Sequence, residues 1–232
     1  MNRSPAITAV ARRWQRWIVR GLLVFGLQGG GWASPAWDAD RMASAAQAQG
    51  PKAVAGWQAL RPVLTAAIDQ DEIARLQSIN DFFNRRVVFR DDVEVWGQMD
   101  YWASPFEMLG KGVGDCEDYA LAKYFSLRAV GVAASKLRLV YVRALLGGSG
   151  GLLQAHMVLA YHALPEAEPL ILDNLISELR PASRRPDLAP VFSFNAEGLW
   201  QGTGAQSAGD PLARLSRWRD ALARARAEGF QP

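Results

Sequence analysis

The stretch GVGDCEDYALAKY (residues 112–124) carries the chain's single cysteine, Cys116, between Asp115 and Glu117, with Asp118 close behind. A thiol attacks carbon only as its thiolate, and neighbouring carboxylates disfavour that form. Asp115 precedes a helical pattern and is a good N-cap residue, so Cys116 falls in the first turn of a helix. Free N–H groups and the macrodipole there favour an anion. A base able to become a cation is still required. The chain has two histidines, His156 and His162, both in the strand-like run AHMVLAYH (155–162). If that run forms a hairpin with PLILDNL (169–175), the register in which positions sum to 329 sets His162 opposite Ala167 and His156 opposite Asp173. Directly opposed side chains lie about 5 Å apart. An imidazole beside a carboxylate is the base and orienter of a triad, with Cys116 as its nucleophile. A slip of one residue turns His156 to the other face. The plain alternatives are a buried cysteine acting as a small hydrophobe, a structural strand histidine and a turn-forming aspartate.

The acids around the thiol admit two readings. Asp115, Glu117 and Asp118 offer up to six oxygens in four positions. A hard divalent cation, most naturally Ca²⁺, would compensate that density and reverse the local field at the sulfur. Simple N-capping by Asp115, with Glu117 and Asp118 favouring the helix dipole, accounts for the same residues without a metal.

Positioning these groups requires helices first and antiparallel strands later, an α+β order. Residues 34–50 give no firm pattern, and Pro62 limits a helix over 52–68. Residues 69–86 form a better helix, with Asp69 and Glu72 at capping-box spacing and Ile73, Leu76 and Phe83 on one face. Residues 87–89 are a short strand, and 91–114 read mostly as loop. The helix that begins at Asp115 stops near Gly131. Strands are expected at 137–145, 155–162 and 169–175, with a further hairpin over 191–201. After a linker (202–209), an amphipathic helix over 210–229 carries Leu212, Leu215, Trp218 and Leu222 on one side.

The N-terminus differs in kind. Five arginines precede the apolar run GLLVFGL (21–27), and a small-residue segment follows. This is the layout of a secretory signal peptide, 1–33, cleaved after Ala33, and the apolar run is too short to span a bilayer. Setting those five arginines aside takes the formal net charge from +3 to −2, so no electrostatic footprint for nucleic acid remains. A single cysteine leaves no internal disulfide in an exported chain.

The combination GDCEDYALAKY, AHMVL and LDNL, within a match spanning roughly residues 82–200, resembles the bacterial transglutaminase-like cysteine proteinases of the LapG type, periplasmic adhesin proteases. The resemblance implies a papain- or transglutaminase-like α+β fold: a helical N-terminal lobe, with the catalytic cysteine at a helix N-terminus packed on an antiparallel sheet. It divides the chain into the signal peptide, a protease domain over 34–201, and a linker with C-terminal helix over 202–232. It implies a triad of Cys116, His156 and Asp173, and Ca²⁺ held by Asp115, Asp118 and Glu117. The implied substrate is a large surface adhesin, cut near its N-terminus at a dialanine motif to release a biofilm. The implied inhibitory partner is an inner-membrane receptor for cyclic di-GMP, and the nucleotide itself does not touch this chain. Beyond the triad, the Cys116 N–H and the Trp102 indole N–H are the expected oxyanion donors, and Trp96, Tyr101 and Trp102 the expected walls of a narrow groove. A transglutaminase-like acyltransferase, a peptidoglycan amidase and a non-catalytic binding module are the rival classes.

Overall fold

The computed structural model describes residues 37–148, 150–204 and 206–231. The expected signal peptide, 1–33, lies outside the described residues. Three helices open the fold: α1 (Ala39–Gln49), α2 (Pro51–Ile68) and α3 (Glu72–Arg86). α1 fills a stretch whose sequence pattern was uninformative, and α2 runs through Pro62. The cap of α3 is Asp71, whose carboxylate accepts the Ala74 N–H at 2.9 Å. Asp69, the expected cap, lies at the C-terminal end of α2 instead, and Glu72 is drawn to Lys136.

The segment expected as loop is more ordered than its Gly, Pro and aromatic punctuation suggested. β1 (Val88–Phe89) pairs in parallel with β2 (Val113–Gly114), and between them lie α4 (Asp92–Trp96) and α5 (Pro105–Lys111). α5 begins with a capping box of Ser104 and Glu107. Then comes α6 (Cys116–Ala129), buried on nearly every side from Glu117 to Leu127, as suits a helix in the middle of a core.

A seven-stranded antiparallel sheet follows. Its strands are β3 (Leu137–Leu146), β4 (Leu152–Tyr161), β5 (Leu170–Leu172), β6 (Arg180–Pro181), β7 (Leu188–Phe194), β8 (Leu199–Gln201) and β9 (Ser207–Gly209), in the order β6-β5-β4-β3-β7-β8-β9. β3 and β4 form a long hairpin through the glycine run, where Gly147, Gly148 and Gly150 take positive φ values that other residues rarely adopt. Alternation along the strands separates two apolar layers. Leu137, Leu139, Met157, Leu159 and Phe194 pack under α6, while Val140, Val142, Val158, Ala160 and Ile171 form a smaller cluster on the opposite face. The observed β4–β5 register pairs Leu159 with Leu172 and Tyr161 with Leu170, a sum of 331. The expected sum of 329 is therefore off by two. A two-residue slip keeps every side chain on its face, so His156 and Asp173 stay on the same side as diagonal neighbours.

The C-terminal segment forms α7 (Pro211–Arg214) and α8 (Ser216–Ala227), and the second half of the expected linker pairs with β8 as β9. Trp218 of α8 is fully buried; it stacks on Phe125 at 5.8 Å and meets Tyr124 and Phe194 edge-on. Trp37 bridges to Phe230, which closes the two ends of the described chain on each other. Among the described residues no helix is long and apolar enough to cross a membrane. Trp218→Ala should cost about 3–5 kcal/mol, the usual range for deleting a large core aromatic. Chemical denaturation checks this, and a shift below 1 kcal/mol would mean that α8 is not part of the core.

Candidate active site

Cys116 is the first residue of α6, half-buried, and Asp115 occupies the N-cap position. The Asp115 side chain makes no capping bond. The thiol donates to Glu117 Oε2 at 2.7 Å, and the backbone of Met157 on β4 lies near Sγ. Burial, then the Glu117 charge and hydrogen bond, then Asp115, push the thiol well above its ordinary range. The helix terminus alone therefore does not yield a thiolate. Its dipole is equivalent to about half a charge, whereas Glu117 brings a full charge into contact.

Cys116 and His156 line one cavity of about 100 Å³, together with Phe89, Ala144, Leu146, Gln154 and Leu175. β4 supplies His156, and Asp173 follows the end of β5 directly. His156 Nε2 meets Asp173 Oδ1 at 2.8 Å, which leaves Nδ1 for another partner. The same oxygen accepts the Leu175 N–H at 3.0 Å, and Asn84 donates to the Asp173 backbone carbonyl at 2.7 Å. Sequence reasoning missed the partner of the second oxygen. Arg185 Nη2 donates to Asp173 Oδ2 at 2.7 Å, and Asp187 grips the same guanidinium through both of its oxygens. Burial alone would raise the Asp173 carboxyl; His156, the Leu175 N–H and Arg185 overcome it and hold the group down at about 2. The other histidine takes no part: His162 Nδ1 pairs with the Ala167 carbonyl at 3.2 Å.

A second constellation lies beside the thiol. Asp92, Asp115 and Asp118 offer oxygens that lie within 4.8 Å of one another. Each also has one buried oxygen without a partner: Asp92 Oδ1, Asp115 Oδ1 and Asp118 Oδ2. Burial raises Asp92 to about 6, with the Glu117, Asp100 and Asp91 charges adding to it; burial also drives Asp115 and Asp118 upward, and there the charges of Glu117 and Asp92 add. The backbone braces the set, since Ala103 N–H donates to Asp118 Oδ1 at 2.7 Å and Tyr101 N–H donates to Asp92 Oδ2. Gly114 is required here, because a Cβ on it would sit 2.7 Å from Asp118 Oδ2. Three orphaned, mutually repelling carboxylate oxygens fit a hard divalent cation. Sequence reasoning anticipated Asp115 and Asp118. It missed Asp92 and placed Glu117 in the set, whereas the structure turns Glu117 to the thiol.

The family model for bacterial transglutaminase-like cysteine proteinases (BTLCP) matches residues 57–186. Solved structures of Legionella pneumophila LapG match with probability 1.00. The EGTA-treated form gives a TM-score of 0.72 at 38% identity, covering 83% of this chain and 100% of that one. A second LapG structure gives 0.70 at 39% identity, covering 81% and 96%, and the calcium-bound form gives 0.68 at 38%, covering 81% and 98%. No curated protein sequence gives a significant match. The chain belongs to the bacterial transglutaminase-like cysteine proteinases.

For a cysteine proteinase of this family, two expected details need correction. The Trp102 indole N–H donates to Asp100 Oδ1 at 2.8 Å, and its ring is buried against Phe194. A donor so engaged is not free to meet an oxyanion. Trp96, Tyr101 and Trp102 do not line the cavity at Cys116; they pack around the acid-bracing loop, and Phe89, Ala144, Leu146 and Leu175 form the walls instead.

Asp173 is depressed below its ordinary value, so its contribution to stability is present above about pH 4 and is lost as pH falls through about 2. It amounts to about 2 kcal/mol. The unfolding free energies of wild type and Asp173→Asn should therefore differ by that order at pH 6 and converge near pH 2. Urea titrations across that range check it, and a pH-independent difference would contradict it.

Proposed function

We propose that this proteinase is a calcium-dependent endopeptidase in which Cys116 is the nucleophile, His156 the general base and Asp173 the orienter. One arrangement carries the reading: Cys116 and His156 share a cavity, and Asp173 engages one imidazole nitrogen, Nε2, which leaves Nδ1 for the thiol. His156 Nδ1 takes the thiol proton as sulfur adds to the peptide carbonyl. The tetrahedral oxyanion is met by the Cys116 backbone N–H, one of the free donors at the start of α6. Collapse breaks the C–N bond, and the imidazolium gives its proton to the leaving amine. Water then adds to the thioester with His156 as base, and release of the acid restores the thiol. Asp173, held ionised by Arg185, fixes the tautomer and stabilises the imidazolium throughout.

Asp115 and Asp118, joined by Asp92, are the calcium ligands we assign. An ion held there would supply positive charge to offset the acids around the sulfur. The calcium-bound and EGTA-treated LapG structures support this choice of metal.

The substrate is the N-terminal region of a large surface adhesin, cut at a dialanine motif in the periplasm, so that cleavage releases a biofilm. An inner-membrane receptor for cyclic di-GMP sequesters the enzyme. The sequence resemblance supports this assignment. So does the cavity, whose 100 Å³ is smaller than the ~150 Å³ that holds a benzene ring, which favours small side chains next to the cut.

Single replacement by Cys116→Ala or His156→Ala should lower kcat for cleavage of the adhesin N-terminus by at least ~10³-fold. Normal turnover by either variant would overturn the triad, and transfer of the acyl group to a lysine amine in place of hydrolysis would favour acyltransfer. Chelation should abolish activity and Ca²⁺ restore it. Asp92→Asn should raise the Ca²⁺ concentration for half-maximal thermal stabilisation by on the order of tenfold, while exposed Asp91→Asn should not. Identical calcium titrations for wild type and Asp92→Asn would remove Asp92 from the site.

A further inference from the structure

β4 is paired along its whole length on one side only. β3 covers it from Leu152 to Tyr161, but β5 pairs only with Leu159, Ala160 and Tyr161. The chain leaves the sheet after Leu172, and Asp173 turns to His156. This leaves the second edge of residues 152–157 without a strand among the described residues.

The direction of the backbone groups on that edge follows from one bond and the alternation of a strand. His162 N–H donates to the Lys136 carbonyl at 2.8 Å, toward β3. Met157, odd-numbered, lies beside Cys116 Sγ on the other edge. In an antiparallel strand the N–H and C=O of one residue point to the same side, and successive residues alternate. Even-numbered residues of β4 therefore bond to β3, and odd-numbered residues face outward. Leu159 and Tyr161 spend their outward groups on β5. Leu153 and Ala155 have no such partner among the described residues, and Leu152 and Leu153 are 70% and 61% exposed. The free edge thus ends at the sulfur, in line with the cavity.

We propose that this edge, Leu153 to Met157, is the strand on which the substrate docks. It takes an extended peptide, whose backbone pairs with the outward N–H and C=O groups of Leu153 and Ala155 and so delivers the scissile carbonyl to Cys116. This deepens the endopeptidase reading and rests on it. The occupant is a peptide backbone because the vacant groups are alternating main-chain donors and acceptors at strand spacing. That is the requirement of β-strand addition, in which main-chain bonds give affinity and pockets read every second side chain. Phe89 and Leu175, both exposed apolar residues, line the cavity at the end of that edge. A free strand edge beside a catalytic thiol is also a liability for self-association unless function requires it open.

The test is an amide-to-ester scan of a ten-residue peptide containing one Ala-Ala pair, each analogue lacking one N–H at a position other than the scissile bond. Pairing predicts a period of two: kcat/KM falls about three- to tenfold at alternate positions and stays within twofold at the positions between. On the enzyme, Leu153→Pro removes an outward N–H and spares the bonds to β3. It should raise KM by a similar factor with the thermal midpoint within 2 °C, whereas Leu153→Ala, which keeps the N–H, should not. A flat ester profile overturns the edge pairing even if Leu153→Pro misfolds. If wild type fails to cut the unmodified peptide, or Cys116→Ala still cuts it, the endopeptidase reading falls and the docking strand with it.

Discussion

The structure is organised around an electrostatic conflict: one sulfur and four carboxylates crowd the start of α6, with Asp92, Glu117 and Asp118 buried. Asp92, Asp115 and Asp118 press on one another, and Glu117 presses on the thiol. In a site of low effective dielectric, like charges a few ångströms apart cannot all stay ionised without a counter-charge. A protein that wanted only a capped helix would have no reason to keep these acids buried, because a single N-cap aspartate suffices. The orphaned oxygens indicate a site built to receive a cation, and Cys116 lies within its field.

Much of the remaining fold holds that conflict in place. The loop between α4 and α5 contributes the Tyr101 and Ala103 N–H groups that orient Asp92 and Asp118. That loop is in turn pinned by α8. Arg217 donates to the Asp100 carbonyl at 2.8 Å and Arg224 to Glu107 at 3.1 Å, while Glu228 accepts from Ser104 and Phe106. The C-terminal helix therefore braces the loop that orients these acids, and two of its arginines, Arg217 and Arg224, act in that role. On the other side of the sulfur, Arg185 and Asp187 hold Asp173, and Asp173 holds His156. The two halves meet at Cys116 and Met157, where a helix start touches a strand edge.

Cys116, His156 and Asp173 stood out in the sequence because each is marked locally: a cysteine after an N-cap acid, a histidine in a strand, an aspartate at the end of the next. Their mutual placement survived an error in register. The true pairing differs by two residues, and parity, which decides the face, is unchanged by an even slip. A slip of one would have removed the histidine from the aspartate altogether. Arg185 and Asp92 were illegible for the opposite reason. Neither lies in a periodic segment; each arrives from a stretch whose sequence carries turn signals, and its role exists only through a contact distant in the chain. The helices α4 and α5 were hidden in the same way, being too short for a hydrophobic period to show. Trp102 misled because an aromatic near a cysteine looks available until its indole N–H is traced to Asp100.

Glu117 is where the two readings of the acids separate. As a first-turn acid it favours the helix dipole by ~0.3–1 kcal/mol, and any first-turn position would serve. Its carboxylate instead contacts the thiol, where it opposes the ionisation that a nucleophile needs. A residue that works against the reactive form of its neighbour at contact distance is costly to keep unless the opposition can be relieved. The neighbouring site for positive charge provides that relief. The sequence order Asp115, Cys116, Glu117, Asp118 then makes physical sense as a unit: it sets one sulfur beside acids whose repulsion a bound cation would relieve.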